Sequence, residues 1–189
     1  MVAIADVSWY VRRVSELDHE ARERGNSTYF PDRVVPMLPE RISNDLCSLR
    51  EQEDRPALAV TMIFEKSGTK RSHSFDRVLM RSHAHLSSEQ AQAAIDGNPD
   101  DASAPFVEPV LRPLWAAYAA LDKARNKRQP LDLDLPERKV LLAEDGSIDR
   151  IVTPARFDAH KLIEEFMLLA NVAAAETLIK KRTPLLFRV

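Results

Sequence analysis

The 189-residue sequence predicts an α+β fold in which an antiparallel sheet, built from hairpins, packs against long helices. Two observations carry that expectation. Alternating, β-branched apolar runs flank Ser67-Gly68 and again Asp145-Gly146, the pattern of two antiparallel hairpins. Two other stretches, from Pro105 to about Lys127 and from Thr153 onward, repeat apolar residues at helical spacing. No internal repeat or low-complexity segment interrupts them.

Taken in order, Val2-Ala-Ile-Ala is a short apolar strand closed by Asp6-Val-Ser. Ser15 has the side chain of an N-cap for a helix through Leu17-Asp-His-Glu-Ala-Arg-Glu-Arg, and Gly25 fits its C-terminal end. Pro31, Pro36 and Pro39 fix φ and remove backbone donors, so residues 31–39 are expected to form an extended, rigid connector that presents Tyr29. Leu38 to Leu49 reads as a short helical segment with Ser43 or Asn44 near its cap. Ala57 to Glu65 and Arg71 to Met80 form the first hairpin; Lys139 to Ala143 and Ile148 to Val152 form the second. Between them, residues 96–104 are rich in Asp, Asn, Pro, Gly and Ala and predict an exposed loop. In the helix that follows, Val107, Val110, Leu111, Leu114, Tyr118 and Leu121 form a buried stripe, with Trp115 and Tyr118 as core residues. Thr153 and Pro154 look like the N-cap and first turn of the last helix. That helix becomes almost wholly apolar from Phe166 to Ala175, which predicts burial on most sides.

Composition narrows the function classes. Hydrophobic residues make up 44% and charged residues 30%, enough for one well-buried domain, and no run approaches the length of a membrane span. No signal peptide is visible, and the lone Cys47 forms no internal disulfide, which points to a reducing cytoplasm. Cys47 reads as a small buried hydrophobe. The net charge of −2 argues against a generally basic nucleic-acid surface but leaves room for a local basic channel. There is no Gly-x-Ser-x-Gly, P-loop, Gly-x-Gly-x-x-Gly or Cys-x-x-Cys, so acyl hydrolases, nucleotide-binding enzymes and zinc ribbons lose support.

Within the last helix, Glu164 and Asn171 lie seven residues apart and so project from nearly the same face. A carboxylate there either bonds to structure or lines a wet cleft, because burying it alone costs several kcal/mol. Glu165 is expected to make a structural contact. His160 and Glu164 have the i, i+4 spacing of a metal pair, but a helix-surface histidine explains the same pattern. His83 and His85 are open to the same two readings. Arg41, Arg50, Arg55, Arg77 and Arg81 are either part of a phosphate-binding wall or ordinary solvated arginines.

Two blocks, Gly25 to Leu49 and Asp158 to Asn171, resemble the catalytic RNB domain of the ribonuclease II and ribonuclease R family, and the likeness extends along the chain. The resemblance implies a 3′–5′ exoribonuclease that hydrolyses single-stranded RNA to nucleoside 5′-monophosphates. It implies RNA-binding roles for Tyr29, which would stack on the terminal base, and for Glu164, which would read the terminal ribose. It implies Mg²⁺ as the family's cofactor, held by an aspartate cluster expected just ahead of Val2; Asp6, Asp132 and Asp134 do not recreate that spacing. The catalytic arginine of the family is expected beyond Val189. Residues 1–189 are therefore expected to be a partial RNB-like domain truncated at both ends, with no catalytic residue, no bound metal and no activity of its own. The alternative is a catalytically inactive nuclease-like module that binds RNA or is purely structural. Ser88 and Leu133 stand where many relatives carry aromatic rings, which bears on the base clamp and ribose contact.

Overall fold

The computed structural model describes residues 1–127 and 138–187. Its first sheet brings together three strands, β1 (Val2–Ala5), β4 (Asp54–Phe64) and β5 (Lys70–Arg81), in the order β1-β4-β5 and antiparallel throughout. The register sets Val2 opposite Val60 and Val60 opposite Phe75, so one face carries Val2, Val60, Met62 and Phe75. The predicted α+β class and both predicted hairpins are present; the second hairpin is β6 (Lys139–Leu142) with β7 (Ile148–Val152). Its two turns share one geometry. Glu65 N–H donates to Thr69 O at 2.9 Å and Gly68 N–H to Glu65 O at 2.9 Å; Ala143, Ser147 and Gly146 repeat both bonds at 2.9 Å. Each is a tight turn that ends in a left-handed glycine, with φ of 83° at Gly68 and 82° at Gly146.

The last helix, α5 (Asp158–Lys180), packs on that sheet through alanines. Ala170 and Ala173 are buried with Val60, and Val2, Met62 and Phe75 close around them. Small side chains let the helix backbone approach the sheet closely. Toward its N-terminus α5 meets α3 (Ser88–Ile95) and α4 (Arg112–Asn126) through Ala159, Leu162 and Glu165. The expectation of burial on most sides is corrected: Leu168 is 46% and Val172 41% exposed, because sheet and helices cover only part of the circumference among the described residues.

Helix α1 (Val7–Tyr10) is a single turn after β1, and α2 (Glu16–Arg24) opens at Ser15 as expected, whose Oγ accepts the Asp18 N–H at 3.3 Å. The proline segment is not a straight connector. Thr28–Tyr29 (β2) pairs with Val34–Val35 (β3), and Phe30 N–H donates to Arg33 O at 2.8 Å, so Pro31-Asp32 occupies a turn. Proline's fixed φ suits the first central position of such a turn as well as it suits an extended chain. The helical segment after it is a π-helical stretch, Arg41–Leu46, with Ser43 and Asn44 inside it rather than at the cap.

Three further corrections concern helix starts and burial. Residues 104–111 precede α4 as a 3₁₀ turn (Ala104–Phe106) and a π-turn (Val107–Leu111), since Pro105 and Pro109 lack the N–H groups of regular helix. Trp115 and Tyr118 are half-buried on a cleft rather than core; Leu111 and Leu121 hold the buried positions. Helix α5 starts at Asp158, not at Thr153: the Phe157 N–H donates to His160 Nδ1 at 3.1 Å and the two rings stack. The Ala159 N–H then finds Gln92 Oε1 on α3 at 3.1 Å. Helix α3 itself escaped the sequence reading, although Ser87 and Gln90 form a reciprocal capping box that their three-residue spacing announces.

Candidate RNA-reading surface

Tyr29 ends β2 beside the turn of the small hairpin, and its side chain is 77% exposed. The neighbouring ring is occupied: the Arg33 guanidinium lies 5.4 Å from the centre of Phe30. Hairpin pairing fixes the backbone that carries Tyr29, while Arg24 Nη1 donates to Pro36 O at 3.1 Å and Ser27 Oγ accepts the Met37 N–H at 2.9 Å. A phenol ring held on a braced backbone and open to solvent can stack on a flat ligand with little loss of side-chain entropy.

Glu164 lies on the exposed side of α5, where Arg156 Nη2 donates to Oε2 at 2.9 Å. Of the two readings open for this carboxylate, the bond to structure is present, as a solvent-exposed ion pair with Arg156. One guanidinium bond leaves further acceptor positions on the carboxylate, so Glu164 can still accept from a ligand hydroxyl. Arg156 was missed from sequence because it lies in the non-helical segment before α5, where no periodicity links it to Glu164. Asn171 is exposed as well.

The neighbouring Glu165 is the buried acid, 3% exposed, with Arg125 Nη1 of α4 at 3.5 Å from its Oε2. It makes the structural contact expected of it, and it locks α5 to α4 one residue from Glu164. No hydrogen bond, ion pair or ring contact joins Tyr29 to Glu164 among the described residues; each belongs to its own element.

Several of the remaining candidates have structural employment. His160 caps α5, and among the described residues no group of three or more His, Cys, Asp or Glu is placed to hold a metal ion. His83 and His85 are exposed just beyond β5. Of the arginine set, Arg50 and Arg55 pair with Asp45, Arg55 also with Glu53, Arg81 with Asp54, and Arg77 with Asp6. Arg81 holds the Asp54 carboxyl below its usual range, chiefly through its hydrogen bond. Asp6 is buried; Ser8 Oγ donates to it at 2.6 Å and Arg77 Nε lies 3.1 Å away, tying the end of β1 to β5. Burial, and then the charge of Asp6, pushes the half-buried Cys47 thiol up, away from nucleophilic character. Ser88 is the first residue of α3, and Asp132, Asp134 and Leu133 lie outside the described residues.

The chain that folds into this three-stranded antiparallel sheet and alanine-faced helix matches a known class along its full length. The RNB domain family matches residues 1–189, and the chain belongs to that family. Ribonuclease R of Escherichia coli (strain K12) is 44% identical over 190 residues, which is all of this chain and 23% of that protein. Ribonuclease R of Aquifex aeolicus is 42% identical over 190 residues, covering 27% of its length, and exoribonuclease 2 of Vibrio parahaemolyticus is 34% identical over 183 residues. Among solved structures, Mycoplasma genitalium RNase R in complex with double-stranded RNA superposes with a TM-score of 0.90 at 29% identity, over 97% of this chain and 33% of that one. The same protein in complex with ribose methylated single-stranded RNA gives 0.89, over 95% and 28%. The chain thus spans about a quarter of the length of the curated relatives it matches.

Proposed function

We propose that this chain forms part of the catalytic domain of a cytoplasmic 3′–5′ exoribonuclease that shortens single-stranded RNA to nucleoside 5′-monophosphates, and that its own share of the work is to hold the RNA end. The observation that carries this reading is the exposed ring of Tyr29 in a chain that matches the RNB family from end to end.

In this reading Tyr29 stacks on the terminal base, a contact that ignores base identity because every base has a π-face. Glu164, oriented by Arg156, accepts a hydrogen bond from the terminal 2′-hydroxyl, the group that distinguishes RNA from DNA. Tyr29 and Glu164 then face one concave RNA path. Mg²⁺ belongs to the whole enzyme in this proposal. The described residues provide no fitting group of ligands for it, so no step here is routed through the ion. The test is binding of a labelled single-stranded RNA to the chain and to Tyr29→Ala. Loss of one base stack, about 1–3 kcal/mol, weakens binding roughly 5- to 150-fold. Equal affinity in the two proteins rejects the assignment of Tyr29.

A further inference from the structure

The far end of α5 forms a second charged feature that neither Tyr29 nor Glu164 uses. A cleft of about 840 Å³ runs between the start of β5, the outer strand of the sheet, and the last turns of α5. Lys70 and Arg71 come from the strand side and Lys180 and Lys181 from the helix side, against the single carboxylate of Glu176. That carboxylate is already engaged: Lys70 Nζ donates to it at 2.6 Å and His73 Nδ1 lies 3.6 Å away. Arg71, Lys180 and Lys181 are exposed and have no ion pair among the described residues. Lysines at a helix C-terminus suit the helix dipole, but that does not account for cations facing them from a strand. In a chain of net charge −2, such a concentration stands apart.

We infer that this cleft is a backbone-phosphate site for single-stranded RNA, separate from the surface that reads the RNA end. The inference rests on the RNA-binding reading above and deepens it. The chemistry favours phosphate over base. Of the two rings in the cleft, Phe75 packs into the sheet–helix core and meets His73 edge-on at 5.9 Å, while the His73 ring is tied by its nitrogens to Thr177 Oγ1 at 2.8 Å and to Glu176 at 3.6 Å. Hydroxyls and cations remain, which bind phosphodiesters without regard to sequence. Glu176 lies twelve residues beyond Glu164 on the same helix, about 18 Å along its axis at 1.5 Å per residue. A strand whose end rests at Glu164 would meet the cleft several nucleotides back from that end.

The test compares the chain with the combined variant Arg71→Glu, Lys180→Glu, Lys181→Glu and with Tyr29→Ala, using fluorescence anisotropy of labelled oligoadenylate over a salt series. The three reversed residues are exposed, and unchanged circular dichroism and melting temperature verify that the variant folds. A milder variant, Lys180→Gln with Lys181→Gln, gives an intermediate effect. Each lost phosphate contact removes about 0.7 from the slope of log K against log salt, so the triple variant loses about 2 units of slope and roughly tenfold or more in affinity at low salt. Tyr29→Ala lowers affinity while leaving the slope unchanged. If the triple variant keeps the wild-type slope and affinity while Tyr29→Ala weakens binding, the cleft is not a phosphate site and the RNA-end reading stands. If the chain instead binds oligoglutamate in preference to RNA, and the triple variant loses that binding, the cleft takes an acidic polypeptide and the inference is overturned.

Discussion

Replacing Gly68 by alanine tests the tertiary arrangement that fixes α4, and through Arg125 and Glu165 the position of Glu164. A Cβ on Gly68 would press against the Ala120 carbonyl oxygen and lie 2.6 Å from Ala124 Cβ, both on α4, in addition to sitting at a φ of 83°. Gly146 provides the matched control, with the same turn bonds and a φ of 82° but no atom within 4 Å of its would-be Cβ. The left-handed conformation alone costs a non-glycine residue about 1 kcal/mol, so Gly146→Ala should lose about that much. Gly68→Ala adds the cost of overpacking, about 1–3 kcal/mol, for a total of about 2–4 kcal/mol. In a domain of this size that is a fall in melting temperature of roughly 5–15 °C, against roughly 2–4 °C for the control. Thermal unfolding followed by circular dichroism, with urea titration for the free energies, measures both. Equal losses in the two variants would refute the packing of the hairpin turn on α4.

Three other outcomes follow from the structure. Glu164→Ala should reduce the preference for RNA over a matched DNA oligomer roughly tenfold, about 1.5 kcal/mol, the low end for a bond to a charged group because Glu164 is half exposed; parallel binding titrations read the ratio, and an unchanged ratio removes Glu164 from ribose recognition. The Asp100 carboxyl is held below its usual range by hydrogen bonds from Ser103 and then Gln90, so its contribution to stability is present above the ordinary carboxylate pKa and disappears as pH falls through the lowered value; melting temperature should decline over that acidic range less steeply in Asp100→Asn than in the wild type, and parallel curves would contradict this. The chain by itself should leave labelled poly(A) intact in the presence of Mg²⁺, and chelator-sensitive shortening above a heat-killed control would show that it carries a catalytic centre.

The hairpins, the α2 cap and the strand before Asp6 were legible because each is specified within a few residues. Alternation, a turn glycine and a capping serine act locally, and the three-dimensional neighbours reinforce the same choice. The α3 capping box of Ser87 and Gln90 is specified just as locally. Where two local solutions have similar cost, the sequence could not choose. Proline fits a turn as well as an extended connector, and pairing of Thr28–Tyr29 with Val34–Val35 decided for the turn. Thr153 was the expected start of the last helix, and the actual start at Asp158 is set by His160 bonding the Phe157 N–H and by Gln92 accepting from Ala159, 67 residues away in the chain.

The candidate site divides in the same way. The family resemblance singled out Tyr29 and Glu164 for RNA contact, whereas the residue pattern by itself left Glu164 between a bond to structure and a wet cleft. Only the fold showed that the ring is exposed, that Arg156 rather than burial holds Glu164, and that Glu165 is the acid taken into the interior. Four of the five arginines open to a phosphate-wall reading, Arg50, Arg55, Arg77 and Arg81, found carboxylates, whereas the cations that do cluster, around Glu176, come from segments more than a hundred residues apart. Composition and periodicity report what one segment prefers; electrostatic potential and burial are sums over whatever the chain brings together, and for those the sequence order of the contributors carries no signal.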